Sequence, residues 1–493
     1  MPLRGRRSGI PRATLLLAGD YATFWAMMIR FGTSGWRGVM GEEFTFHNVR
    51  VVVQAIANHL RKTFGDGPIA VVVGYDTRFL SDRYALEAAK LLARNGIQVF
   101  LSDRDAPSQA LACQVIKRKC QGGINFTASF NPPRYNGLKF NVETGAPALP
   151  EVTDAIEEEV RRLMPGFSTL AVRARDESIS RIDLQADYLA DLQGKIDFGV
   201  MRKAGLRVAA DLLYGTGREY LDEILEENGV EVEGIHGYID PYFGGVSPSC
   251  TEENLAELKT HVVQTKCHVG LATDADGDRF GIIDEKGGFV HPNIILALLL
   301  DYLVRVKGWR GGVARSITTT HLLDRIARKY DLPLTKTKVG FKYMADLYLK
   351  GRIMFGGEES ACIAVKDHLP EKDGIFAGLL VAEMIAATGR SLGTLRADLF
   401  KEYGAMTSGQ RTLPLTPERA KRLRALIQNP PSKLGRRKVV AAETIDGLKL
   451  DFEEDRWVVL RLSGTEPLIR CYAEAETRED VEAILKKGLE AVK

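Results

Sequence analysis

The sequence predicts an α/β protein: three tandem α/β domains with mixed sheets, followed by a smaller C-terminal α+β domain. Three observations carry that expectation. The chain has 493 residues, too many for one ordinary core, and about three or four domains are expected at that length. A strand–helix–strand plan recurs along it, first as "IAVVVGYDTR", "SDRYALEAAKLLARNG" and "IQVFLSD". Short apolar runs alternating with amphipathic helices imply right-handed βαβ crossovers. Near the end the pattern changes to two strand-like runs, "WVVLRLSG" and "LIRCYAEAE", closed by the helix "REDVEAILKKGLEAV".

Residues 1–28 are expected to form an extension outside the fold, without order. Residues 1–27 hold Arg4, Arg6, Arg7 and Arg12 against Asp20, the whole of the chain's net charge of +3. Their apolar piece "ATLLLAG" is short for a signal-peptide core, although an Arg-rich, acid-poor segment also fits a transit peptide. Domain I then covers 29–165. Domain II, 166–288, repeats the plan in "LRVAADLLYGTGREYLDEILEENGVEVEGIH", and domain III, 289–401, does so in "GGVARSITTTHLLDRIARKYDLPLTKTKV". Domain IV covers 402–493, where the charged stretch "LPLTPERAKRLRALIQNPPSKLGRRK", broken at Pro430-Pro431, reads as a linker to the tail.

Composition excludes several classes. Hydrophobic residues make up 45% and charged residues 27%, the balance of a soluble globular protein, and the scattered cysteines suit reduced thiols in the cytoplasm. No apolar run approaches the ~20 residues that span a bilayer. A body neutral overall gives no electrostatic footprint for nucleic acid. The six cysteines include no Cys-x-x-Cys pair, so neither a disulfide framework nor a zinc site is expected.

Four loops carry the candidate chemistry. In "TASFNPPRYNGLK", Ser129 follows the strand-like "GGINF" and precedes a double proline and an Asn-Gly turn, with Lys139 ten residues on. In "TDADGDRFG", Asp274, Asp276 and Asp278 alternate after an apolar run. Three such carboxylates can converge on one hard cation and leave room for water and a phosphate oxygen, the habit of Mg2+. An acidic surface turn is the bland alternative. "FGGEESA" offers Glu358, Glu359 and Ser360 to vicinal sugar hydroxyls, although Gly-Gly before acidic residues more often begins a solvated helix. "RLSGTEPLIR" offers Arg461, Ser463, Gly464, Thr465 and Arg470, donors suited to a phosphate dianion, and a plain hairpin with an ion pair competes with that reading. "FGTSGWRG" adds Arg37 on a further Gly-rich loop.

With these four motifs in this order, one per expected domain, residues 29–493 resemble the α-D-phosphohexomutase superfamily of phosphoglucomutases and phosphomannomutases. The resemblance implies four domains around a central cleft, and an enzyme that interconverts hexose 1-phosphates and 6-phosphates. It implies that Ser129 carries the phosphoryl group, that one Mg2+ per chain is held by Asp274, Asp276, Asp278 and the Ser129 phosphate, and that a hexose 1,6-bisphosphate is the intermediate, with glucose 1,6-bisphosphate as activator. Lys139, Arg37 and Arg279 match catalytic positions. Glu358 and Ser360 match the sugar loop, and Arg461, Ser463, Gly464, Thr465 and Arg470 match the phosphate loop. Small hexose phosphates are the implied partners of a monomer or dimer. "GEES" and "VGFKYM" resemble the glucose-preferring branch, with mannose as a second sugar. A phosphoglucosamine mutase and a catalytically silent sugar-phosphate binder are the alternatives. Two departures stand out: Phe130 replaces the family's usual histidine after the serine, and the sugar loop continues as Ala361-Cys362-Ile363.

Overall fold

The computed structural model describes residues 29–167, 178–464 and 467–493; the expected extension of residues 1–28 lies outside them. The first sheet has six strands, β1 (Trp36–Val39), β2 (Ala70–Tyr75), β3 (Gln98–Ser102), β4 (Gly122–Phe126), β5 (Tyr135–Val142) and β6 (Ile179–Ile182), in the order β1-β5-β4-β2-β3-β6. Strand β6 pairs in parallel with β3, so the first sheet reaches past the boundary drawn near 165. The second sheet, β7 (Arg207–Asp211), β8 (Glu231–Ile235), β9 (Val269–Thr273) and β10 (Phe280–Ile283), has the order β10-β9-β7-β8. The third, β11 (Val313–Ser316), β12 (Leu334–Thr337), β13 (Phe355–Glu358) and β14 (Cys362–Val365), has the order β12-β11-β13-β14.

Each of these sheets is mixed, with parallel inner strands ending on an antiparallel pair. The inner strands are covered by helices on both faces, so they read as unbroken apolar runs such as "AVVVGY". Residues of domains I, II and III share one continuous core that includes Leu111, Tyr188, Leu271, Leu296 and Phe376.

The fourth sheet is antiparallel throughout: β15 (Thr407–Pro414), β18 (Ala441–Glu443), β19 (Leu448–Asp451), β20 (Trp457–Leu462) and β21 (Leu468–Ala475), ordered β15-β21-β20-β19-β18. The short pair β16 (Lys433–Leu434) and β17 (Arg437–Lys438) lies beside it. The stretch read as a linker is therefore part of the domain. Its first residues complete β15, paired with β21 over eight positions, and Pro417–Gln428 is a helix capped by the Thr416 side chain. An edge strand buries few side chains, which leaves its sequence charged and polar. Among the described residues no single helix is long and apolar enough to cross a membrane.

One rule of construction places the candidate chemistry. In the four main sheets the motif follows the first strand of an antiparallel pair: residues 127–134 join β4 to β5, 274–279 join β9 to β10, 359–361 join β13 to β14, and Ser463 and Gly464 follow β20, which pairs with β21.

Candidate active site

Ser129 sits where strand β4 releases the chain. Its φ is 50°, a left-handed conformation that costs a non-glycine residue about 1–3 kcal/mol and persists only when its surroundings enforce it. Those surroundings are specific. The Ser129 N–H donates to Thr127 Oγ1 at 2.9 Å, and the Asn131 N–H closes a turn on the Ala128 carbonyl at 3.1 Å.

The strongest restraint is Arg78, a residue without a role in the sequence reading. Its guanidinium is buried and uses every donor. Nε donates to Asp76 at 3.1 Å, Nη1 to the carbonyls of Pro132 at 3.0 Å and Tyr135 at 3.1 Å, and Nη2 to those of Asn131 at 2.7 Å and Ser129. The only local signal was the polar triplet Asp76-Thr77-Arg78 directly after a buried strand. Asn136-Gly137, read as a turn, lies inside β5. Gly137 is needed there because a Cβ would stand 2.5 Å from the Thr127 carbonyl oxygen and 2.8 Å from that of Trp36.

The Ser129 hydroxyl donates to Asp274 Oδ2 at 2.6 Å, which joins domain I to the aspartate loop of domain II. Asp274, Asp276 and Asp278 are all buried, and one oxygen of each lies within 4.8 Å of the others. Lys139 on β5 donates from Nζ to Asp276 and Asp278, both at 2.5 Å. Ser108 Oγ donates to Asp276 Oδ2 at 2.8 Å, and Arg279 Nε to Asp278 Oδ1 at 3.0 Å. Burial, then the charges of Asp276 and Asp278, push the Asp274 carboxyl well above its ordinary range. Burial pushes Asp278 the same way, but Lys139, Lys372 and Arg279 outweigh it and hold that carboxyl low.

These residues fit a divalent cation. Three carboxylates converge in a buried place, and Asp276 Oδ1 there has no hydrogen-bond partner among the described residues, a costly condition for a buried charge that a metal ion relieves.

A cavity of about 510 Å³ adjoins this cluster and takes residues from all four domains, among them Arg37, Phe130, Arg279, Glu358, Ser360 and Arg461. Ser463, Gly464 and Arg470 line it too; Thr465 lies outside the described residues. Ser129, Lys139 and the three aspartates are buried behind its wall. Phe130 is 37% exposed and faces two guanidiniums, with Arg37 at 5.1 Å and Arg279 at 5.9 Å from the ring centre. Phe130 therefore does not pack the loop against the domain core.

The sugar-loop motif is not a helix start. Glu358 ends β13 and is buried, accepting from the Gly340 N–H at 2.6 Å. Burial, then Glu359, raise its carboxyl above the ordinary range. Ser360 is exposed in the tight connection that follows, where its carbonyl accepts from Arg279 Nη1. Across the β20–β21 pair Arg461 stands directly opposite Arg470. Both side chains line the cavity, so the two guanidiniums reach it from one face of the sheet. Lys372 also lines the cavity, with Nζ 3.4 Å from Asp278 and 2.5 Å from Glu371. It precedes the helix Gly374–Thr388, which Asp373 caps, and only its tertiary position ties it to the aspartates.

Comparison with known proteins follows the same division. Family models described as phosphoglucomutase/phosphomannomutase match in four parts: alpha/beta/alpha domain I over residues 28–165, domain II over 186–288, domain III over 291–403, and the C-terminal domain over 417–490. A phosphoglucomutase/phosphomannomutase of Thermococcus kodakarensis is 30% identical across 93% of this chain and 97% of its own length. A Methanopyrus kandleri protein described as a phosphoglucosamine mutase is also 30% identical, across 91% of this chain and 94% of its own. A crystal structure described as a phosphomannomutase from Thermus thermophilus superposes with a TM-score of 0.82 at 32% identity, covering 94% of this chain and 99% of that one.

Proposed function

The chain belongs to the phosphoglucomutase/phosphomannomutase family, and on that premise we propose that it interconverts glucose 1-phosphate and glucose 6-phosphate through a phosphoserine at Ser129 and glucose 1,6-bisphosphate. The observation that carries this reading is the 2.6 Å bond from the Ser129 hydroxyl to Asp274 within a buried cluster of three aspartates. In the forward direction the bond from Ser129 Oγ to phosphorus breaks as one forms from the sugar's 6-hydroxyl oxygen, and that hydroxyl gives up its proton. After the bisphosphate turns over, the 1-phosphate returns to Ser129, and the oxygen left on the sugar regains a proton.

Asp274, Asp276 and Asp278 would hold Mg2+, which when bound neutralises charge on the transferring phosphoryl oxygens. Lys139, bonded to two of those carboxylates, suits neutralising charge better than abstracting a proton. Arg37 and Arg279 add positive charge at the mouth of the serine loop. Glu358 and Ser360 would read sugar hydroxyls, and the opposed Arg461 and Arg470, with Ser463 and Gly464, would grip the phosphate that is not reacting.

A second sugar has a specific observation behind it. Glu358 and Glu359 both line the cavity, and adjacent carboxylates would also pair with the amine of glucosamine phosphate. The test is a panel of glucose, mannose and glucosamine 1-phosphates, each supplied with Mg2+ and a catalytic amount of the matching bisphosphate, with 6-phosphate formation followed. Glucose 1-phosphate is expected to turn over with the highest kcat/KM. A glucosamine preference would replace the sugar assignment, and no turnover of any of the three would overturn the mutase reading.

Phe130 bears on rate. A histidine beside the phosphoserine would supply the general acid–base help that is typically worth about 10²–10⁴-fold, and phenylalanine supplies none. Phe130→His is therefore expected to leave activity equal or higher, since the ring lies at the cavity wall. A sharp loss at unchanged thermal stability would instead assign Phe130 to holding Arg37 and Arg279 by cation–π contact.

A further inference from the structure

The turn between β18 and β19 belongs to none of the motifs above, yet it meets two of them. It contains Asp446 and Gly447. Gly447 has a φ of 88°, and a Cβ there would stand 2.3 Å from the Leu460 carbonyl oxygen and 2.9 Å from Arg461 Cα. The turn is thus pressed against the backbone that enters the phosphate loop, closer than any side chain permits. This contact aims the Asp446 carboxylate. Its Oδ2 accepts from Arg461 Nε at 3.1 Å and from the Val339 N–H at 3.1 Å.

Val339 is in domain III, in the loop after β12, and its neighbour Gly340 donates to Glu358 Oε1 at 2.6 Å. Two successive N–H groups of one loop therefore serve a carboxylate of domain IV and the sugar-loop carboxylate of domain III. The Arg461 side chain is 8% exposed and that of Asp446 24%, so this is a partly desolvated ion pair, which solvent screens less than a surface one. An Nε–carboxylate bond fixes the plane of a guanidinium and with it the direction of its terminal donors.

We propose that Asp446 is a positioning residue for the mutase reaction: it orients Arg461 toward the substrate's phosphate and ties the phosphate loop to the loop that holds Glu358. The phosphate and sugar ends of the site are then set together, although Asp446 touches neither ligand. The inference rests on reading Arg461 as a phosphate-binding residue.

The experiment measures KM for hexose 1-phosphate, kcat, and inhibition by inorganic phosphate in Asp446→Ala, Asp446→Asn, Arg461→Ala and the double variant Asp446→Ala/Arg461→Ala, with thermal stability recorded for each. Losing a charge-assisted hydrogen bond to Arg461 is expected to raise KM and the phosphate inhibition constant about tenfold in Asp446→Ala, with a smaller change in kcat. Asp446→Asn, which keeps an acceptor but not the charge, is expected between that variant and the parent. In the double variant the Asp446 change adds little to Arg461→Ala, because the group it positions is already gone. If Arg461→Ala raises both constants and Asp446→Ala raises neither, or if the two effects add, the positioning role is overturned while the phosphate assignment stands. If Arg461→Ala leaves both unchanged, the phosphate assignment itself fails. A loss of thermal stability in Asp446→Asn with KM unchanged would make Asp446 a purely structural residue and also overturn the inference.

Discussion

Ser129→Ala is expected to lower hexose 1-phosphate turnover by several orders of magnitude, because the group transferred in each cycle would have no carrier. Peptide mass analysis of the parent is expected to find phosphate on Ser129 in at least part of the preparation, and none at position 129 in the variant. The substitution also removes the donor to Asp274 Oδ2. Leaving one buried acceptor unpaired costs about 1–3 kcal/mol, too little to unfold a protein of this size, so thermal stability is expected to fall modestly. That separation makes the result interpretable: a folded variant with near-normal turnover would remove Ser129 from the chemistry.

Chelating divalent metal is expected to abolish turnover, and added Mg2+ to restore it. The buried cluster requires this on two grounds. Transfer gathers negative charge where three carboxylates already stand, and within the site Lys139, Lys372 and Arg279 are engaged with those carboxylates. A divalent ion supplies the missing positive charge, an effect worth several kcal/mol at a phosphoryl oxygen. Independently of activity, Mg2+ is expected to raise the thermal midpoint, since an ion that binds only the folded chain stabilises it by mass action. Asp276→Asn, which keeps the shape of the side chain, should weaken both effects. Full turnover in chelator, with no thermal shift on adding Mg2+, would remove the metal from the mechanism.

What the sequence made legible was local. The three aspartates announce themselves by alternation around Gly277, and Ser129 by its place between an apolar strand and two prolines. The α/β plan is readable because inner parallel strands must be apolar on both faces. Misreadings arose where one local signal serves two structures. Asn136-Gly137 looks like a turn, but glycine is equally what a strand needs when two carbonyls crowd its Cα. Residues 413–428 look like a linker because an edge strand and a surface helix expose most of their side chains. Arg78, Lys372 and Asp446 gave almost no signal, since their partners are remote: Arg78 holds carbonyls up to 57 residues away, and Asp446 meets an amide 107 residues away.

The grip of Arg78 bears on how freely the serine loop can change. Apart from Asp76, each of its hydrogen-bond partners is a main-chain oxygen, and such an oxygen is present whatever side chain its residue carries. The loop's shape is thus insulated from the identity of the exposed residues 130 and 134, whereas the Asn131 side chain accepts from Arg37 Nη1 at 2.6 Å. Phenylalanine can occupy the place of the family's histidine without disturbing how the hydroxyl is presented, and the loop becomes a cassette whose exposed positions are open to diversification. Arg78 has no such freedom. A lysine there brings three donors in place of five and no plane to aim them. Tolerance in the loop is gained through strict dependence on one residue outside it.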